Sequence, residues 1–417
     1  MYIQRLKLEN FRGARNLQLD LDRHLNIFVG MNGSGKSTLL DATALLLSWL
    51  ANRIEREKAS GRPISELDIC NGKSTASLGL RCENRWGEFE WTLSKTRKGH
   101  SKSATSSLAE LSNVVRDIQE DLTEVNEKAY LPLFIYYPVN RAVVDIPLRI
   151  RSKHTFDQLS AYDDALTSGA NFRTFFEWFR EREDLENETL RETGELRTDL
   201  QLQAVRDALL QFMPAFTDLT VRRSPLRMVV KKHGEELAVN QLSDGEKILM
   251  AMIGDLARRL AIANPMRTNP LEGYGIVLVD EIDLHLHPKW QRMIVSQLHD
   301  VFPNCQFLIS THSPHVITHV QPENLFLLSL ERQELTAVRP TESYGKTVER
   351  VLEDLMGLDT TRPDDVTHDL RQLFDSIDKG ELDEAKHAVE RLRRRIGDDP
   401  ELVKASVLIT RKELIGK

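Results

Sequence analysis

The 417-residue chain is short of the features that mark secreted or membrane proteins. It has three cysteines, Cys70, Cys82 and Cys305, with no ligand-like spacing. That scarcity excludes a disulfide framework and a zinc site and fits a reducing cytosol. No apolar run is long enough to span a bilayer. The start, Met1 to Leu6, reads as a strand and not as a signal peptide, so a cytoplasmic, membrane-free protein is expected. Positive charge is not in excess: the net charge is −7, and nucleic acid would have to be met by a local basic patch. What remains is an ordinary globular composition, 41% hydrophobic and 29% charged, in a length that suits one large domain or two to three small ones.

The densest signal is Gly30-Met31-Asn32-Gly33-Ser34-Gly35-Lys36-Ser37-Thr38. An apolar run, Leu25 to Val29, precedes it, and an apolar-periodic segment, Thr38 to Leu50, follows. Strand, glycine loop and helix in that order, with the spacing G-x-x-x-x-G-K-[ST], predict a phosphate-binding loop. Glycines let the backbone curl so that several N–H groups face one anion, and the helix's positive end adds to the attraction. Asn32, Gly33, Ser34 and Gly35 would form the cradle, with Thr38 beside it. Lys36 would reach the terminal phosphates and Ser37 would offer its hydroxyl to magnesium.

Residues 2 to 29 alternate as two antiparallel strands feeding the loop strand, with Arg12 at the turn between the first two. That arginine is either an exposed turn residue or a phosphate contact. A hairpin is predicted over Thr75 to Glu83 and Trp86 to Ser94. Lys95 to Ser107 is a basic loop that either grips nucleic acid or is simply solvated. Leu131 to Tyr137 reads as a buried strand. Residues 155 to 213 are helical in pattern, and Phe172, Phe175, Phe176, Trp178 and Phe179 suit core packing better than base stacking. Val221 to Leu237 predicts a hairpin around His233-Gly234. Leu242-Ser243-Asp244-Gly245-Glu246 then opens a helix, a second anion site by the same dipole logic.

Tyr274 to Val279 is a buried strand running into Asp280 and Glu281. One carboxylate at such a tip can hold magnesium and the next can polarise a water for attack on phosphorus. His285 and His287, two apart, do not share a helix face and are read as turn residues. The strand Cys305 to Ile309 ends in Ser310-Thr311-His312-Ser313-Pro314, which puts His312 at the edge expected to hold nucleotide. Leu325 to Leu330 and Glu334 to Val338 close the sheet, and four helices follow from about Glu349. Arg391, Arg393, Arg394 and Arg395 form a basic cluster in that tail, a solvated helix end or a docking point.

This order of motifs resembles the ABC-type ATPase heads of the SMC, RecF and OLD group, over about residues 1 to 340. The resemblance implies an α/β fold: a P-loop NTPase with a mixed sheet core, antiparallel amino-terminal strands, a helical insertion and a carboxy-terminal helical tail. The expected divisions are 1–154 and 216–340 for the head, 155–215 for the insertion and 341–417 for a tail that docks a partner or oligomerises. It implies Walker A at Gly30 to Thr38, Walker B at Ile276 to Asp280 with Ser37 and Asp280 on the metal, Glu281 as catalytic glutamate, a D-loop at Asp283 to Pro288 and His312 as switch. It implies a head-to-head dimer, or a higher oligomer, in which Ser243 and Gly245 touch the partner copy's ATP; Arg12 too would lie at nucleotide. No obvious Q-loop glutamine follows residue 137, and Asn140 and Arg141 fall nearby. Lacking a long coiled coil, a zinc hook and an acidic Toprim-like domain, the chain looks most like the PtuA family, the ATPases of Septu and some retron anti-phage systems. That resemblance implies ATP and Mg2+ as cofactors and a separate HNH nuclease of the PtuB kind, or a retron reverse transcriptase with its RNA, as partner. Nothing in the chain reads as a nuclease site. A RecF- or SMC-like repair ATPase acting on DNA is the alternative.

Overall fold

The computed structural model describes residues 1–101, 105–125, 130–139, 156–167, 169–195, 197–331 and 334–415. Asn140 and Arg141, and the middle of the basic loop, lie outside the described residues. The chain divides into two units, Met1–Lys346 and Thr347–Lys417.

In the first unit the chain runs β1 (Tyr2–Phe11), β2 (Ala14–Asp20), β3 (Leu25–Val29), α1 (Lys36–Glu55), β4 (Thr75–Asn84), β5 (Gly87–Thr96), α2 (Ala109–Val125), β6 (Leu133–Tyr137), α3 (Phe172–Thr193), α4 (Leu200–Phe212), β7 (Phe216–Arg223), β8 (Leu226–Lys232), β9 (Glu235–Ala238), α5 (Asp244–Ala263), β10 (Gly275–Val279), α6 (Pro288–Val301), β11 (Cys305–Thr311), α7 (Pro314–Ile317), β12 (Leu325–Glu331) and β13 (Glu334–Val338). The second unit holds α8 (Val348–Asp354), α9 (Asp364–Lys379), α10 (Leu382–Ile396) and α11 (Pro400–Ile415).

Six strands make the central sheet, in the order β13-β12-β3-β11-β10-β6. Strands β12, β3, β11, β10 and β6 are parallel, and β13 turns back antiparallel on the edge. The parallel strands β6, β10 and β11 are buried along their whole length, which is why β6 and β10 are unbroken apolar runs with no alternation, while β11 adds buried Gln306, Ser310 and Thr311 to its apolar residues. Both faces must then be covered, and topology puts all their carboxyl ends on one edge, the place where open α/β sheets bind ligands.

The strands β2-β1-β4-β5 form a separate antiparallel sheet. One side chain ties the two sheets together. Gln306 of β11, fully buried, accepts from the Ile3 N–H (2.7 Å) and donates to the Ile3 carbonyl (2.8 Å). A buried amide that satisfies both backbone groups of one residue fixes register without leaving a polar atom unpaired.

Two elements differ from the sequence expectations. Helix α2 was not anticipated, although Leu111, Val114, Val115 and Ile118 repeat at helical spacing and are buried. The expected hairpin over 221–237 is a three-stranded sheet, β7-β8-β9, because Ser224-Pro225 makes an additional turn. Helix α3 runs unbroken to Thr193 and turns at Gly194 into α4, which ion pairs Arg206–Glu183 and Arg206–Glu186 hold alongside. The aromatic cluster on α3 is core, with Phe175, Phe176 and Phe179 fully buried.

Candidate nucleotide site

The loop from Gly30 to Gly35 joins β3 to α1. Two of its glycines are forced by packing. A Cβ on Gly30 would meet Ser34 Oγ at 2.4 Å and the Leu328 carbonyl at 2.5 Å. One on Gly35 would meet the Leu335 methyls at 2.9 Å, and Gly35 sits at φ 96° as the cap of α1. Only glycine tolerates that combination of positive φ and close approach. Gly33 also has positive φ but open space around it, as a backbone that must admit a ligand would have. Lys36 Nζ donates to the loop's own carbonyls, Gly30 (2.9 Å) and Met31 (3.1 Å). Its ammonium is thus held at the mouth of the loop. Burial pulls Lys36 below the ordinary lysine value, against the opposing attraction of Asp280, Glu281 and Asp283. Ser37 is exposed in the first turn of α1, Thr38 half-buried behind it, and Asn32 exposed on the loop.

Asp280 and Glu281 leave β10 beside the end of β11, where Val279 pairs with Ile309. Ser310 Oγ donates to Asp280 Oδ1 (2.5 Å) and accepts from the Glu281 N–H (2.8 Å), and the Ser310 carbonyl accepts from the Ile282 N–H (3.0 Å). Glu281 takes φ 49°, a conformation that costs a non-glycine residue roughly 1 kcal/mol or more and persists only where neighbours over-determine it. Ser310 supplies that determination, and sequence reading missed it. The signal was a fully buried hydroxyl ending an apolar strand. Next along β11, Thr311 Oγ1 donates to Asp283 Oδ1 (2.5 Å), and the His312 N–H donates to the same oxygen (3.3 Å). His312 Nε2 stands 3.8 Å from Glu281 Oε1. Burial and the Lys36 cation push His312 below the usual histidine value, over the counter-pull of the three carboxylates. It is therefore mostly neutral at pH 7 and can both donate and accept.

The D-loop is pinned from behind. Gln291 donates to the carbonyls of Asp283 (3.2 Å) and Leu286 (2.9 Å) while accepting from Ser313 Oγ (2.8 Å). His287 caps α6 by accepting from the Lys289 N–H (3.2 Å), which is a turn role. Among the described residues no cluster of His, Cys, Asp and Glu has the arrangement of a metal cage.

Ser243 is the N-cap of α5 in a capping box. Its N–H and Oγ both donate to Glu246 Oε2, each at 2.9 Å. Lys232 of β8 donates to the other Glu246 oxygen at 2.6 Å. Ser243 and Asp244 are exposed, whereas Gly245 is buried. A Cβ on Gly245 would strike the His285 carbonyl at 2.4 Å, so the signature helix start lies directly against the D-loop. First-turn amides have no acceptor inside their helix, so what Gly245 has to offer a ligand is its N–H. Arg12 sits at φ 48° and donates to Asp41 of α1 (2.8 Å) and to Asp68 (3.0 Å), with its guanidinium over Phe11. It braces the loop helix through Asp41; sequence alone left its environment open.

Comparison with known proteins identifies relatives of this chain. The family described as "AAA domain, putative AbiEii toxin, Type IV TA system" matches residues 25–318. The chain is 31% identical to the Retron Ec83 probable ATPase of Escherichia coli, over 95% of this chain and 84% of the relative. It is 32% identical to the Retron Vc95 probable ATPase of Vibrio cholerae serotype O1 biovar El Tor, over 79% and 74%. It is 25% identical to the Septu protein PtuA of Bacillus thuringiensis, over 87% and 86%. With a phosphate loop, a paired-carboxylate strand tip and a following histidine on three adjacent parallel strands, the chain belongs to this AAA-domain ATPase family, as an ABC-type head like those of the retron and Septu ATPases.

Proposed function

We propose that this protein is the ATP-binding and ATP-hydrolysing subunit of an anti-phage defence complex, that its heads pair around nucleotide, and that it controls a separate nuclease. The observation that carries the ATPase part is the convergence of Lys36, Asp280, Glu281 and His312 at the tips of β3, β10 and β11. The loop's amides and Lys36 hold the phosphates. Ser37 and Asp280 would hold a magnesium ion, whose chemistry when bound would be to neutralise charge on the transferred phosphoryl group. Glu281 orients and polarises the attacking water, and neutral His312 senses the terminal phosphate. Pairing of heads is supported by Ser243, exposed on its own copy, two residues before Gly245, which packs against the D-loop. It would present Ser243 and the Gly245 amide to the partner copy's ATP. Arg12, ion-paired directly to Asp41 of the loop helix, would sense nucleotide indirectly through it.

The partner follows from the relatives named as retron ATPases and Septu PtuA: an HNH nuclease of the PtuB kind, or a reverse transcriptase with its RNA. Tagged wild-type protein, mixed with the products of its neighbouring genes with and without ATP, should retain such a partner in a nucleotide-dependent way. Recovery of none would sink the defence reading and leave the ATPase. Glu281→Gln should cut hydrolysis roughly 100-fold and accumulate an ATP-bound dimer or larger oligomer by light scattering. A strictly single-copy species in saturating ATP would overturn the pairing of heads.

A further inference from the structure

The head contains a second recess, far from the phosphate loop. It lies where Tyr274 leads into β10, Leu131 and Pro132 lead into β6, and Arg267 follows α5. Tyr274 is six residues before Asp280, about 20 Å along an extended strand, so the recess is no part of the ATP site. Its volume is about 290 Å³. Three of the head's exposed large side chains, Trp86, Tyr130 and Tyr274, gather around it. Exposed aromatics collected in one place mark a binding surface.

The electrostatics specify the ligand further. Arg85 lies over Trp86 and is paired with Asp121, and Glu83 accepts from Tyr2 Oη (2.5 Å) and Gln4 Nε2 (2.8 Å). Those charges are satisfied. Arg23, over Tyr2, and Arg267, between Tyr130 (4.5 Å) and Tyr274 (5.5 Å), have no carboxylate partner among the described residues. Unpaired cations call for an anion. Flat aromatic faces call for a planar ring.

We propose that this recess binds a free nucleoside monophosphate, its base stacked on Trp86 and Tyr130 and its phosphate on Arg23 and Arg267. A recess near the lower size limit of small-ligand sites admits one nucleotide and not a strand. The assignment does not rest on the ATPase reading.

The test uses the full chain carrying Lys36→Ala, which disables the phosphate loop, in equilibrium dialysis against radiolabelled AMP, GMP, CMP and UMP. Saturable binding of at least one, near one per chain, is expected. Adding Arg267→Ala should weaken it at least tenfold, Arg267→Lys should restore part of it, and Trp86→Ala should weaken it where Arg267→Ala fails to fold. Circular dichroism melts report folding in each case. The proposal is overturned if none of the four binds up to millimolar concentration, or if binding is indifferent to both Arg267→Ala and Trp86→Ala. Binding seen in wild type and lost entirely in Lys36→Ala would also overturn it, by placing the nucleotide at the phosphate loop.

Discussion

The strand tips of the head and the helices of the Thr347–Lys417 unit solve opposite problems. At the tips, charged and strained groups are held in place: Asp280 is nearly inaccessible, Glu281 has positive φ, and Ser310 bridges both. In the second unit, Leu370, Leu373, Ile377, Val389, Leu392, Leu402 and Ile409 make a purely apolar core between α9, α10 and α11. Its charges stay outside, as in Arg395 with Asp365 and Asp369, and Arg362 with Asp399. Exposed pairs of that kind contribute about 0–1 kcal/mol each. The second unit is built for stability from local signals. The tips spend stability on geometry, as functional sites do.

Substitutions should separate the two regions. Lys36→Ala should have the largest effect, removing the cation that three carboxylates face. Nucleotide binding should fall below detection by calorimetry while the melting curve hardly shifts, and wild-type affinity in the variant would refute the role of Lys36. Leu373→Ala should cost about 2–5 kcal/mol of the second unit's stability with ATP turnover nearly retained. Chemical denaturation followed alongside hydrolysis checks it, and a parallel loss of turnover would mean the two regions are not separable.

Ser310→Ala should lower kcat by roughly 10–100-fold, the kinetic equivalent of about 1–3 kcal/mol for losing a buried partner, with KM changed far less. An equal rise in KM would show that Ser310 acts on binding and not on the carboxylates. The smallest effect concerns pH. His312 has its folded value lowered, so between the folded and unfolded values the unfolded chain binds more protons and stability rises with pH. Wild type should therefore gain stability relative to His312→Gln between pH 5.5 and 7.5, by under about 1 kcal/mol since the ring is part-exposed. A gap that shrinks as pH rises would contradict the sign.

The contrast also explains what could be read in advance. The tail helices were legible nearly to the residue, because apolar spacing, Gly380 and Gly397 all act locally. The phosphate loop and the carboxylates were legible as spacing. Ser310, the bond from Ser313 to Gln291, and the Asp41 and Asp68 partners of Arg12 were not, since these contacts join residues 22 to 56 apart in the chain. The hairpin turn at Ser224-Pro225 and helix α2 had local signals that were outweighed by louder neighbours.

The sequence by itself determined which segments become buried parallel strands, and that a lysine, a hydroxyl and two carboxylates follow strand ends. Tertiary structure decided that β3, β11 and β10 lie side by side, so that these groups meet. It also set the signature glycine against the D-loop carbonyl. The physical reason is that strand order and side-chain partnership are set by packing across the sheet, and no spacing along the chain encodes them.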